Sequence, residues 1–136
     1  MRWVLTMANE RSVKEWADAW IQWWNSSGPE RDEFQWAADK EFEAIFSDPE
    51  LVWRLVEEIS SRKLSDRLIS VFAAGPLEDL LAQHGALMIE RVEIKAKKEQ
   101  SFASMLGGVW QNDMSGEIWQ RVQAAWDRRG WDGIPD

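Results

Sequence analysis

The chain has 136 residues, of which 45% are apolar and 29% charged, a composition typical of a globular protein and a length that fits one domain. It contains no cysteine, which excludes disulfides, thiolate nucleophiles and cysteine-ligated metal clusters. Its formal net charge is −8, from 24 acidic and 16 basic residues, and an acidic surface repels the phosphate backbone of nucleic acids. We therefore expect a single helical domain spanning residues 1–136 that binds no nucleic acid.

The opening residues predict a cytoplasmic protein. Residues 1–12 hold one short apolar stretch, which is too brief for the core of a signal peptide. No part of the sequence approaches the roughly 18 consecutive apolar residues of a membrane-spanning helix. We therefore expect neither export nor contact with a membrane.

The first predicted helix begins at Ser12, which forms a capping-box pattern with Glu15. Four of the 11 tryptophans of the chain follow at helical spacing, within an arc of about 100°. They are Trp16, Trp20, Trp23 and Trp24. Because apolar stripes are usually buried, we expect this face to belong to the core, and an exposed aromatic groove is the alternative.

A second helix is predicted from Pro29, a residue that suits the first position of a helix. Its inner side is predicted to hold Phe34, Ala38, Glu41, Phe42 and Ile45. Trp36 falls on the opposite side of the helical wheel. Its neighbours at helical spacing are the acidic residues Asp32, Asp39 and Glu43. An exposed tryptophan among carboxylates is typical of a protein contact, so these four residues are the predicted binding site. The alternative is that Trp36 packs under another part of the chain.

The third and fourth helices are predicted from their capping residues. Asp48 and Pro49 suit the cap and the first position of the third helix. The fourth is predicted to begin at Ser65 or at the next residue. Gly75 is predicted to end it, because glycine is the usual residue just past a helix C-terminus.

The fifth helix is predicted to run from Pro76 to about His84 and to end at Gly85. Glu78 would then be about its third residue, where its carboxylate can accept hydrogen bonds from the unpaired backbone N–H groups of the first turn. A sixth helix is predicted over residues 86–98, with apolar residues on two of its sides.

Two further helices complete the prediction. A short seventh begins at Ser101 and ends at Gly107 and Gly108, and the last begins at Ser115. The inner stripe of the last helix is predicted to be Trp119, Val122 and Trp126. The predicted fold is all-α: a compact bundle of about seven to eight short helices, in which antiparallel pairs could stack like those of a solenoid.

The sequence contains no recognised catalytic or metal-binding motif. It has one histidine, no G-x-S-x-G element, no phosphate-binding loop with a lysine and no metal-ligand spacing. A hydrolase site built from Glu78, His84 and Glu93 is a remaining alternative. It requires three residues from consecutive helices to meet in space.

Several segments together resemble a family of small bacterial proteins known only as a domain of unknown function. They are "AAGPLEDLLAQHG", "MIERVEIKA", "FASMLGGVW" and "IWQRV", and the resemblance covers roughly residues 47–126. It implies a bacterial or phage source and a compact helical fold. It assigns no catalytic residue. The recurrent motifs include Glu78, His84, Glu93 and Trp110.

Small size, acidity, high tryptophan content and the lack of a catalytic motif predict a protein that is not an enzyme, uses no cofactor or metal, and binds a basic protein. The most concrete hypothesis is a bacterial immunity protein or antitoxin that neutralises a toxin or another effector. A phage anti-defence protein that acts through its acidic surface is the alternative, and the hydrolase is a second. The sequence does not predict an oligomeric state.

Overall fold

The computed structural model describes residues 11–127, and within that range the chain forms helices and no β-strand. The all-α prediction is confirmed. The chain divides between Arg62 and Lys63 into two compact units, which we call unit 1 and unit 2. The single domain predicted over residues 1–136 stays a prediction.

The expectation about export falls mostly on residues 1–10, which lie outside the described range. Within residues 11–127, no helix combines the length and the apolar character that a bilayer crossing requires.

Within residues 11–62, unit 1 contains three α-helices: α1 (Val13–Asn25), α2 (Gln35–Ser47) and α3 (Pro49–Ser60). The predicted caps are confirmed. Ser12 and Glu15 form a complete capping box at α1, and the side chain of Asp48 accepts a hydrogen bond from the Leu51 N–H at α3. All three helices pack against one another.

The core of unit 1 is built around two tryptophans of α1. Trp16 and Trp20 are fully buried, whereas Trp23 and Trp24 are only partly buried. The Trp16 indole N–H donates to the backbone carbonyl of Ala37 across 3.0 Å, so its polar atom is satisfied inside the core. The core prediction therefore holds for the first half of the stripe.

The second helix differs from the prediction. Residues Gly28–Phe34 form a 3₁₀ helix, and α2 begins only at Gln35. Its buried residues are Ala37, Ala44 and Ile45. The two large indoles of α1 already fill the space between the helices, so small alanines suit the facing side better than phenylalanine does. The prediction that Phe42 points inward is wrong, because 72% of that residue is exposed.

Unit 2 contains α4 (Asp66–Phe72), α5 (Glu78–Lys98), α6 (Gln100–Met105) and α7 (Gly116–Ala125). A π-helical turn, Ala73–Leu77, joins α4 to α5. A 3₁₀ turn, Leu106–Gly108, follows α6. The α5 helix packs against both α6 and α7. Of the stripe predicted for the last helix, Val122 is fully buried and Trp119 is partly buried, as is Trp126, which lies just past the end of α7.

Gly75 and Pro76 do not separate two helices, so that prediction is wrong. Both residues lie inside the π-helical turn, and the chain continues through it into α5. Proline removes a backbone N–H and crowds the preceding turn. A wider turn accommodates both effects without ending the helix.

The helix break predicted at Gly85 lies one residue earlier: α5 consists of two helical segments joined by a kink at His84, where φ is −135° and ψ is 36°. Gly85 is buried at the start of the second segment, which continues to Lys98. A Cβ atom at Gly85 would lie 3.1 Å from the Ile118 side chain of α7. The glycine therefore permits close packing between these two helices, a role that depends on tertiary structure.

Candidate protein-binding surface

The outer face of α2 carries two exposed aromatic residues. Phe42 is 72% exposed and Phe46 is 62% exposed. They are spaced i, i+4, and their ring centroids lie 6.1 Å apart in an edge-to-face arrangement. Such a pair prefers this geometry, so the two rings form one apolar patch.

Carboxylates flank this patch. Asp39 and Glu43 lie on the same outer face of α2 and are exposed, as is Asp32 in the preceding 3₁₀ helix. Within residues 11–127, none of these three side chains forms a hydrogen bond or an ion pair. We call the set of Phe42, Phe46, Asp39 and Glu43, which all belong to α2, the α2 face.

Trp36 lies at the edge of the α2 face. It is half-buried, and the guanidinium carbon of Arg11 lies 4.0 Å from the centroid of its ring. Such stacking is a favourable cation–π contact. The indole that was predicted as the centre of the binding site is therefore already partly covered. That Trp36, Asp32, Asp39 and Glu43 bind a partner stays a prediction.

The nearby cations are directed towards tryptophans. Arg31 lies 3.6 Å above the Trp23 ring and donates from Nε to the Trp23 carbonyl across 2.9 Å. The Lys40 ammonium lies 5.0 Å from the Trp16 ring. Burial, with a smaller contribution from Arg11, lowers the pKa of Lys40. Residues 28–50 hold eight acidic and two basic residues, and both basic ones are engaged in this way.

The sequence prediction found the carboxylates of the α2 face but missed its aromatic centre. Phe42 was assigned to the core and Phe46 was not assigned. The helical spacing of these phenylalanines with Asp39 and Glu43 was a usable signal, because positions i, i+3, i+4 and i+7 share one side of a helix.

The three residues of the hydrolase alternative do not meet. Glu78 lies before the kink of α5, His84 at the kink and Glu93 after it. Within the described part of the chain, no group of three potential ligands could hold a metal ion.

Both glutamates have other partners. Glu93 accepts a hydrogen bond from Arg121 Nε across 2.9 Å, and this bond lowers its pKa. Glu78 accepts from the backbone N–H of Trp110 and from the side chain of Asn112, not from the first turn of its own helix as predicted. The α5 helix has no free N-terminus to cap, because it continues from the π-helical turn.

The fold is that of an all-α protein with an acidic, aromatic outer helix face. The chain belongs to DUF6869, a family of unknown function, whose model matches residues 25–130. The match includes the α2 face and begins where the tryptophan-rich α1 ends. No curated protein and no solved structure matches the chain.

Proposed function

We propose that the protein binds a basic protein and inhibits it, and that the α2 face makes the contact. The observation that carries this proposal is the exposed Phe42 and Phe46 pair, flanked by Asp39 and Glu43, whose side chains form no hydrogen bond or ion pair with any residue of 11–127. The most concrete form is a bacterial immunity protein or antitoxin.

Two physical arguments favour a protein partner at this face. Aromatic side chains are enriched in the energetically important centres of interfaces, because they bury a large area with little loss of rotamer freedom. Burying the two phenylalanine rings also excludes water from the surrounding carboxylates. Their attraction to lysine or arginine residues is stronger there than in bulk water.

The charge of the segment favours a basic partner. Residues 28–50 have a net charge of −6, from eight acidic and two basic residues. Such a field accelerates association with a positively charged protein and disfavours acidic competitors. Toxins that act on nucleic acids are basic because lysine and arginine are attracted to the phosphate backbone. An acidic inhibitor therefore suits them.

The test compares three baits in lysate of the native host: the wild type, Phe42→Ala with Phe46→Ala, and a control, Leu87→Ala with Ile94→Ala. The control residues are also exposed, at 49% and 47%, but belong to α5. A protein retained by the wild type and the control is identified, purified and titrated by calorimetry. We expect the α2 variant, with Phe42→Ala and Phe46→Ala, to bind this partner at least tenfold more weakly than the wild type does. The double charge reversal Asp39→Lys with Glu43→Lys should weaken binding even more when measured at low salt.

Inhibition is then measured directly. One equivalent of the wild type should abolish the toxic activity of the purified partner, and the α2 variant should not. A partner that belongs to a bacterial defence system would favour the anti-defence alternative. A partner that binds all three baits equally would contradict the α2 face as the contact.

A further inference from the structure

Another exposed aromatic residue, Trp110, lies in unit 2. Trp110 is 72% exposed and belongs to the loop between the Leu106–Gly108 turn and α7. Val109 and Met114, on either side of it, are each only 5% exposed. The loop is therefore anchored in the core at both ends while the indole between the anchors faces solvent. We call residues 109–114 the Trp110 loop.

Hydrogen bonds hold the Trp110 loop in one conformation. Glu78 Oε1 accepts from the backbone N–H of Trp110 across 2.8 Å, and its Oε2 accepts from the Asn112 side chain across 3.1 Å. Asn112 has a φ of 50°, in the left-handed region that asparagine tolerates better than most residues. The Met114 N–H donates to the Gln111 carbonyl across 2.9 Å. One carboxylate thus joins both sides of a tight turn.

Two glycines just before the loop let the backbone pack closely against neighbouring side chains. A Cβ at Gly107 would lie 2.5 Å from the Trp126 indole, and one at Gly108 would lie 2.8 Å from the Cβ of Ala73. Ala73 begins the π-helical turn that leads directly into Glu78. The same irregular turn therefore packs against Gly108 and leads into the carboxylate that holds the loop.

A single exposed apolar residue needs no special explanation in a soluble protein. Here, however, a π-helical turn, two close-packed glycines, a left-handed asparagine and a two-point hydrogen bond converge on one exposed indole. Local departures from regular geometry of this kind concentrate at functional sites. Holding an indole rigid before binding also reduces the entropy lost on association.

The charge of the loop indicates what kind of surface it fits. Residues 109–117 contain Asp113 and Glu117 and no basic residue, and Glu78 and Asp79 lie on the supporting helix. A second copy of this chain, with its net charge of −8, is a poor match for such a surface. A positively charged protein is a good one.

We propose that the Trp110 loop is a separate docking surface, whose indole enters an apolar pocket rimmed by lysine or arginine on a protein partner. This inference does not rest on the α2 face. Each surface is tested with its own variants, so one proposal can fail while the other stands.

The experiment uses the full chain as wild type, Trp110→Ala and, as the control, Leu87→Ala. A protein captured by the wild type and the control, but depleted with Trp110→Ala, is identified, purified and titrated by calorimetry. We expect a basic partner whose dissociation constant rises about thirtyfold with Trp110→Ala, as for an interface hot spot, and partly recovers with Trp110→Phe. Added salt should weaken binding. Circular dichroism melting should show that Trp110→Ala is folded.

Three outcomes would overturn the proposal. They are identical capture by wild type and Trp110→Ala, capture of no protein by either, and self-association of the free wild-type chain in sedimentation that Trp110→Ala abolishes. The last outcome would make a second copy the occupant.

Discussion

The α2 face and the Trp110 loop present aromatic groups to solvent by different means. The phenylalanines of the α2 face lie on a regular helix, and their i, i+4 spacing alone brings the two rings together. The backbone at Trp110 is held by Glu78, 32 positions earlier in the chain. The ring pair of one surface is therefore formed by local structure, whereas the loop of the other needs a set of distant contacts. Mutations in the residues that hold the Trp110 loop should therefore affect this loop and leave the α2 face unchanged.

The largest expected effect is the difference in stability between substituting a buried tryptophan, Trp16, and an exposed one, Trp110. Trp16→Ala should lower the free energy of unfolding by about 3–5 kcal/mol, because it leaves a cavity and removes the indole hydrogen bond to the Ala37 carbonyl of α2. Trp110→Ala should change it by less than about 0.5 kcal/mol. Urea unfolding measures both. A large loss with Trp110→Ala would mean that this indole stabilises the fold and is not held for a partner.

The next prediction tests whether the segment before the Trp110 loop depends on the close packing of Gly108. Gly108→Ala should destabilise the protein by about 1–3 kcal/mol, because its Cβ would lie 2.8 Å from Ala73 in a continuous helix. Gly116→Ala is the matched control. It has no neighbouring atom within 4 Å and occupies the first turn of α7, so it should be neutral or stabilising by up to about 1 kcal/mol. Equal unfolding curves for the two variants would refute the packing argument.

A smaller effect is expected when the carboxylate under the loop is removed. Glu78→Ala should lower stability by about 1–2 kcal/mol and accelerate hydrogen exchange of the Trp110 amide, which loses its acceptor. Asp113→Ala, which removes an exposed carboxylate of the same loop, should leave that exchange rate unchanged. The α2 face should be unaffected by either change. Unchanged exchange in Glu78→Ala would show that the loop holds its shape without this residue.

These tests also show what the sequence could predict. The caps at Ser12, Asp48 and Ser115 were predicted correctly, because each is a contact between residues three positions apart. Gly75 was misread as a helix end, whereas the break predicted at Gly85 lies one residue away, at the kink of His84. Glycine can also permit close packing, and only the position of Ile118 shows that Gly85 has this role.

The candidate sites follow the same rule. The carboxylates of the α2 face could be found by spacing along one helix, while Phe42 was assigned to the wrong side because the volume of the α1 indoles decides which residues of α2 fit inside. The Trp110 loop was seen only as a recurrent motif. Its hydrogen bonds to Glu78 join residues too distant in sequence for any helical period to reveal.

The smallest predicted effect concerns pH. Burial, followed by repulsion from Glu78, raises the pKa of Asp79 above its ordinary value of 3.8. The folded state therefore holds the Asp79 proton more tightly than the unfolded state does. Stability falls as the pH rises from the ordinary pKa of this carboxyl through its raised pKa in the folded state. Asp79→Asn should add less than about 1 kcal/mol at pH 7, and the gain should vanish near pH 3. Asp113→Asn, which removes an exposed carboxylate of the Trp110 loop, is the control and should not raise stability at pH 7.

The most direct test of the central claim is the hydrogen-exchange footprint of the purified partner on the full chain. The proposed function predicts slower amide exchange over Gln35–Ser47 when the basic partner binds, and loss of that protection in the Phe42→Ala, Phe46→Ala variant. A bound partner that leaves the exchange of Gln35–Ser47 unchanged would contradict the α2 face as the binding surface.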